Sequence, residues 1–84
     1  MRIEFDPAKD QTNIAKHGIS LNRAAEMDIR AQVSDNRYDE PRFRLYGLID
    51  SLWYCLAVTF RGSATRVISL RRAHQEEVDD HVDD

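Results

Sequence analysis

Cysteine and long apolar runs are scarce in this sequence, which excludes several classes of protein. Of 84 residues only Cys55 is a cysteine, which excludes an intrachain disulfide and a cysteine metal cluster and favours a reducing compartment. The longest apolar run, Leu52 to Val58, is far too short for a membrane span. The first ten residues contain three acids and no apolar run, unlike a signal peptide. We therefore expect a cytoplasmic protein that makes no contact with a membrane.

Motifs for cofactors and metals are missing as well. The sequence has no glycine-rich phosphate loop, no His-x-x-x-His pair, and no serine, histidine and aspartate set with a nucleophile elbow. His74 and His81 lie two helical turns apart among acids, but exposed groups of this kind are usually solvated rather than metal-bound. A chain of 84 residues is expected to form one domain, over residues 1–84, with a shallow functional surface. We expect no cofactor and no metal.

Positive charge is concentrated in the body of the chain and negative charge at its end. The net charge is −3, yet the last ten residues carry six acids and no lysine or arginine, so residues 1–74 carry a net charge of +3. Ten of the twelve cations are arginine, whose planar guanidinium binds phosphate through two hydrogen bonds. The body is therefore suited to an anionic partner, although scattered arginines also solvate small domains.

The first half of the chain contains signals for one strand and two helices. Ile3 and Phe5 alternate with polar residues as in a short strand. Asp6 is a candidate N-cap and Gly18 a candidate C-cap for a helix over residues 7–17. Ser20 similarly caps a second helix over residues 21–28. The polar residues 33–42, with a turn at Asp35-Asn36, are expected to form a loop.

The second half alternates as strands and ends in an acidic helix. A half-buried strand over residues 42–46 is expected to be interrupted by Gly47, with a turn at Asp50-Ser51. Residues 53–60 are almost continuously apolar, which is typical of a central strand covered on both faces. A hairpin turn at 61–63, a strand at 65–70 and a final helix from about 73 to 82 follow. The pattern predicts an α+β fold: a small antiparallel sheet of three or four strands, with the helices on one sheet face.

Arginines on the predicted sheet are the strongest chemical signal. Arg42 enters one strand, Arg66 lies in another, and Arg71-Arg72 end it. Guanidinium groups on one surface can hold an RNA backbone and stabilise the extra charge of a phosphoryl transition state without metal. Adjacent strand residues point to opposite faces, so at most one of Arg71 and Arg72 belongs to a given face of a regular strand.

Several blocks resemble one protein family. These are the opening Ile3-Glu4-Phe5-Asp6-Pro7-Ala8-Lys9, the run Lys16-His17-Gly18-Ile19-Ser20, Arg42 five residues before Gly47, and Arg66-Val67-Ile68-Ser69-Leu70-Arg71-Arg72-Ala73. In this order they are similar to BrnT toxins of bacterial type II toxin-antitoxin systems. The chain departs from them at its end, where an acidic helix with His81 replaces a basic helix that ends in tyrosine.

The resemblance implies a RelE-like fold and metal-independent ribonuclease activity. It implies neutralisation by a BrnA-like, DNA-binding antitoxin, through which alone the chain contacts operator DNA. Carried over by position, the catalytic residues are Arg42, Arg66, Arg71 and Arg72. Lys16 and His17 lie in a motif block; we expect Lys16 and Arg44 to bind RNA and His17 to be a candidate general base.

The sequence leaves alternatives open for the function and for two aromatic residues. A noncatalytic module that partners a DNA-binding antitoxin in operon autoregulation is the alternative to a ribonuclease. Trp53 and Tyr54 could stack on a base, but an apolar run favours the core for them, as for Cys55. We expect the antitoxin to cover the face that carries Arg42, Arg66 and Arg71, with the acidic C-terminal helix outside the RNA site.

Overall fold

A computed structural model describes residues 2–82, which form one mixed sheet and three helical segments. The strands are β1 (Ile3–Glu4), β2 (Asp28–Asp35), β3 (Arg42–Ile49), β4 (Leu52–Arg61) and β5 (Ala64–Arg72). The helices are α1 (Pro7–His17), a 3-10 helix (Leu21–Glu26) and α2 (Gln75–His81). Within these residues, no helix is long and apolar enough to cross a membrane.

The sheet has the strand order β1-β5-β4-β3-β2. Strands β2 to β5 pair antiparallel through consecutive hairpins, and β4 is central, as predicted. The turn at Asp50 and Ser51 is also confirmed, since both have left-handed backbones with φ of 50° and 66°. The expectation of a purely antiparallel sheet is wrong, because β1 pairs parallel to β5. The two residues of β1 are too short a segment to reveal their pairing partner.

Helix α1 begins and ends where its capping residues predict. The Asp6 carboxylate accepts a hydrogen bond from the Ala8 amide at 2.9 Å, and Gly18 ends the helix in the left-handed conformation with φ 73°. Ser20 likewise caps the next segment, since its hydroxyl accepts from the Asn22 amide. That segment is a 3-10 helix that ends at Glu26, rather than the longer helix to residue 28 that was predicted.

Strand β2 is the element that the sequence does not reveal. The predicted loop over residues 33–42 overlaps its second half, and the chain turns only after Asp35. An edge strand needs no apolar alternation when most of its side chains face solvent, and most β2 side chains are exposed. Its polar sequence therefore resembles a loop.

Gly47 lies inside β3 and does not interrupt it, contrary to prediction. Its Cα pairs with Ile29 of β2 on one side and Tyr54 of β4 on the other. A Cβ at this position would collide with the Asp28 carbonyl oxygen and lie 2.9 Å from the Met27 side chain. Glycine is therefore required here by the close approach of β2 to β3.

The two sheet faces are covered by different helices. On one face, Leu45, Leu56 and Leu70 lie in one cross-strand row and pack with Leu21 and Ala24 of the 3-10 helix as the core. We call this the core face. Helix α2 packs on the opposite face, where Glu77 contacts Tyr46 and His81 stacks on the same ring. The expectation that all helices lie on one face is therefore wrong, because α2 contacts Tyr46, whose chain neighbour Leu45 points to the core face.

Candidate functional site

Strand register brings four of the predicted arginines to the sheet face opposite the core, which we call the arginine face. Arg44 lies in one cross-strand row with Ala57 and Ser69, and Arg71 lies in the next row with Cys55 and Tyr46. Arg42 precedes Arg44 by two residues and therefore points to the same side. Arg66 pairs with Thr59, which shares the side of Ala57.

A β-bulge at Ile68 is the reason that Arg66 and Arg71 share a face. In a regular strand, residues five apart point to opposite sides. Here the pairing shifts between Ala57 and Val58, so that Ser69 and Val67 are their partners and Ile68 is the extra residue. Because of the extra residue, Arg66 and Arg71 point to the same side of the sheet, and both Val67 and Leu70 remain in the core.

Three of these arginines line one shallow cavity on the arginine face. We call this cavity of about 140 Å³ the arginine groove. Half-buried Arg44 lies in its lining, and within residues 2–82 its buried Nε has no hydrogen-bond partner. A buried, unpaired N–H of a cation favours an anionic ligand. The groove is lined by Asp35, Arg37, Tyr38, Arg42, Phe43, Arg44, Cys55, Ala57, Ile68, Ser69 and Arg71.

Glu77 of α2 binds Arg71, one of the lining residues of the groove. Its carboxylate accepts two hydrogen bonds from Arg71, at 2.7 and 2.9 Å, and one from the Tyr46 hydroxyl at 2.8 Å. The Tyr46 hydroxyl also accepts from Arg44 at 2.9 Å. The prediction that the acidic helix lies away from this surface is therefore wrong. The helix places a carboxylate where a phosphate would bind Arg71.

Charge and burial in this cluster set its protonation states. The hydrogen bonds from Arg71 hold the pKa of Glu77 at about 2, below its ordinary 4.5. Burial, followed by the hydrogen bond to Glu77, raises the pKa of Tyr46, and burial raises the pKa of Cys55. None of these three groups can therefore act as a proton acceptor with a pKa near neutrality.

Arg42 and Arg66 of this face have partners near the protein surface. Arg42 contacts Glu40 at 2.9 Å, and Arg66 lies 3.9 Å from Glu4. Both are surface ion pairs, which solvent screens and which a stronger anion can displace. Arg66 lies on the arginine face but does not line the groove.

Arg72 is separated from the other predicted catalytic residues. Its backbone pairs with Tyr54, which lies on the core side, and its guanidinium carbon lies 5.6 Å from the Tyr54 ring centroid. Its Nε donates to the Trp53 carbonyl at 3.3 Å. The expectation that Arg71 and Arg72 point to opposite faces is confirmed.

Lys16 and His17 line a second cavity, of about 250 Å³, between α1 and β5. Ile68 and Ser69 line both this cavity and the arginine groove, so the two are adjacent. Lys9 and Thr12 also line it, two turns and one turn before Lys16 on the same helical stripe. Lys9 was not singled out from the sequence, although its spacing of seven residues from Lys16 could have revealed it.

The remaining candidates are structural. Cys55 is buried, as expected, and Tyr54 packs at the edge of the core. His74 is the N-cap of α2. Within residues 2–82, no three His, Cys, Asp or Glu side chains are grouped as a metal site would require.

Comparisons with known proteins agree with the motifs. The profile of a family described as the ribonuclease toxin BrnT of type II toxin-antitoxin systems matches residues 5–77. A crystal structure of the Brucella abortus ribonuclease toxin BrnT is similar, with a TM-score of 0.71 and 31% identity, over 89% of this chain and 99% of that one. No curated protein matches the chain significantly. The chain belongs to the BrnT family of ribonuclease toxins of type II toxin-antitoxin systems.

Proposed function

We propose that this protein is an endoribonuclease toxin with a RelE-like fold, and that it cleaves RNA without a metal ion at the arginine groove. The observation that carries the proposal is the convergence of Arg42, Arg44 and Arg71 on one cavity. Guanidinium groups that are already oriented can stabilise the charge that develops on a phosphate during cleavage. Arg66, on the same face, supplies a further contact with the RNA backbone.

The cleavage step uses the RNA's own nucleophile. The 2′ hydroxyl attacks the adjacent phosphorus and the bond to the 5′ oxygen breaks. The leaving 5′ oxygen takes a proton from solvent water, so the products are a 2′,3′-cyclic phosphate and a 5′ hydroxyl. His17 is the proposed acceptor of the 2′ proton, because imidazole ordinarily titrates near neutrality and His17 lies in the adjacent cavity. Lys9 and Lys16 in that cavity bind the neighbouring phosphates.

The antitoxin expected for a type II toxin is, in our proposal, a BrnA-like protein that binds DNA as a dimer. It covers Arg42, Arg66 and Arg71 and so blocks the RNA site. Operator DNA contacts the complex through the antitoxin, and a dimeric antitoxin brings more than one toxin chain into the assembly. The support for this arrangement is that these arginines share one sheet face, on which Arg42 and Arg66 have only surface ion pairs.

A weakly active module that serves mainly as the antitoxin's partner is the second candidate function. One observation favours it: Glu77 already neutralises Arg71 with two short hydrogen bonds. RNA must displace this carboxylate to reach Arg71, and the displacement reduces activity.

The test is incubation of the purified chain with single-stranded RNA in excess chelator. We expect cleavage with 2′,3′-cyclic phosphate ends. Arg44→Ala and Arg71→Ala should each lower the rate roughly 100-fold or more, as expected when one donor to a developing oxyanion is removed. Arg72→Ala is the matched control, since it removes the same charge from the next residue on the other face, and it should stay within about 3-fold of the parent because a distant surface charge contributes little.

Two results would contradict the proposal. Activity that is lost in chelator and restored by a divalent ion overturns metal independence. Equal rates for the Arg71→Ala and Arg72→Ala variants, both folded by circular dichroism, overturn the assignment of the groove. No cleavage by the parent, with intact antitoxin binding, favours the second candidate.

A further inference from the structure

The connection between β2 and β3 forms a pocket of about 290 Å³ beside the arginine groove. We call it the loop pocket. It and the groove share the lining residues Asp35, Tyr38, Arg42 and Phe43, so they are neighbouring parts of one depression. Tyr38 and Arg42 lie at the boundary between them. The full lining is Ser34, Asp35, Asn36, Tyr38, Asp39, Glu40, Pro41, Arg42 and Phe43.

Tyr38 is the aromatic residue of this connection and remains 44% exposed. Its ring does not pack in the core. The Arg42 guanidinium carbon lies 3.9 Å from the ring centroid, and that of Arg37 lies 5.5 Å from it. Arg37 is in turn held by two hydrogen bonds to Asp35, at 2.8 and 2.6 Å. The two guanidinium groups therefore hold the Tyr38 ring in place without a bound ligand.

The two neighbouring cavities differ in charge. The arginine groove is dominated by guanidinium groups, whereas the loop pocket carries the exposed acids Asp39 and Glu40. Glu40 is paired with Arg42, and the carboxylate of Asp39 repels a phosphate, so we expect a group without negative charge in the loop pocket. Carboxylates accept hydrogen bonds from amino groups, and an exposed aromatic ring offers a stacking surface.

We propose, resting on the ribonuclease function above, that the loop pocket binds one unpaired nucleobase of the RNA, stacked against Tyr38, with the adjoining phosphate in the arginine groove. Bases with an exocyclic amino group are preferred over uracil, because the carboxylate of Asp39 accepts from that group. Tyr38 is then a determinant of substrate position and base preference. The competing explanation is that Tyr38 serves only to orient Arg42.

The test measures binding of a short 2′-O-methyl RNA, which the 2′-hydroxyl mechanism cannot cleave. A series of these RNAs carries one abasic nucleotide at successive positions. We expect one position at which the missing base weakens binding to the parent roughly 10-fold, the usual size of a stacking contribution. Tyr38→Ala should weaken binding to the intact RNA by a similar factor. In this variant, removal of the base at the same position should weaken binding only slightly further. Tyr38→Phe and Tyr38→Trp keep an aromatic ring and should bind the intact RNA about as tightly as the parent.

Phe60→Ala is the control variant, since Phe60 is as exposed as Tyr38, at 46%, but lies outside the loop pocket. Kinetics on cleavable RNA give a second measurement: loss of stacking raises KM, whereas a misplaced Arg42 lowers kcat. The proposal is overturned if every abasic position binds like intact RNA, if abasic penalties are equal in the parent and Tyr38→Ala, or if Phe60→Ala gives the same loss. If any one of these results is obtained while Arg44→Ala still lowers the cleavage rate, the proposed ribonuclease function is retained and only the proposal of a base pocket is wrong.

Discussion

Arg71 and Glu77 form an ion pair on the arginine face, through two parallel hydrogen bonds of 2.7 and 2.9 Å. Glu77 is held in turn by the Tyr46 hydroxyl and by the His74 amide, which donates at 3.0 Å. The pair therefore fastens α2 to the sheet. It also occupies the guanidinium edge that a phosphate would use in the proposed RNA complex.

Removing the Glu77 charge should strengthen RNA binding. Glu77→Gln keeps a polar side chain of the same shape but no longer neutralises Arg71. We expect affinity for single-stranded RNA to rise about 5-fold at moderate salt, equivalent to roughly 1 kcal/mol for one partly screened charge. Glu76→Gln is the matched control, because it changes net charge equally at an exposed position on the same helix. Fluorescence anisotropy measures both, and an equal gain in the two variants would mean that only net charge matters.

Acid should destabilise the parent more than Glu77→Gln. The pKa of Glu77 is lowered from 4.5 to about 2 in the folded chain, so its contribution is complete above pH 4.5 and is lost as the pH falls through about 2. Allowing for solvent screening, we expect the stability difference between parent and variant to shrink by about 2 kcal/mol over this range. Asp35, whose pKa Arg37 also lowers to about 2, is unchanged in both proteins and cancels.

Urea denaturation of both proteins at several pH values between 5 and 2.5 measures this difference. Parallel pH profiles for the two proteins would show that the Arg71 pair contributes nothing to stability.

Local signals in the sequence were sufficient for α1 and for the turns, but not for the arrangement of the arginines. Asp6 and Gly18 act within their own helix, so they could be interpreted from neighbouring residues alone. The bulge at Ile68, which puts Arg66 and Arg71 on one face, arises from the pairing of β5 with β4. Pairing between strands cannot be recognised in a single segment, so the sequence does not show that β5 contains a bulge.

The position of α2 could not be predicted from the sequence for a related reason. Four of the five residues from 76 to 80 are acids, which suggested a solvated helix outside the RNA site, but Val78 is buried. This one apolar residue turns Glu77 toward Arg71. A seven-residue helix is too short for its periodicity to show which face packs.

Asn13 should prove the most sensitive polar residue for stability. It is buried in α1, and its amide group binds the β5 backbone twice: Nδ2 donates to the Leu70 carbonyl at 2.8 Å, and Oδ1 accepts from the Leu70 amide at 3.0 Å. The same Nδ2 donates to the Ile19 carbonyl at 2.9 Å. Strand β1 pairs only with Thr65 and Arg66, so Asn13 takes the place of a neighbouring strand beside Leu70.

Asn13→Ala should therefore lower the free energy of unfolding by roughly 2–4 kcal/mol, because it leaves the Leu70 amide and carbonyl buried without partners. Asn13→Asp should be no better, since a carboxylate would face two carbonyl oxygens. Thermal and urea denaturation measure the loss, and Gln11→Ala, an exposed change on the same helix, should have almost no effect. Hydrogen exchange adds a local measurement, since the Leu70 amide should lose protection in Asn13→Ala before the amides of β4 do. If Asn13→Ala stays within about 0.5 kcal/mol of the parent, within the range of ordinary surface substitutions, then α1 is held to the sheet by packing alone and Asn13 does not replace a strand.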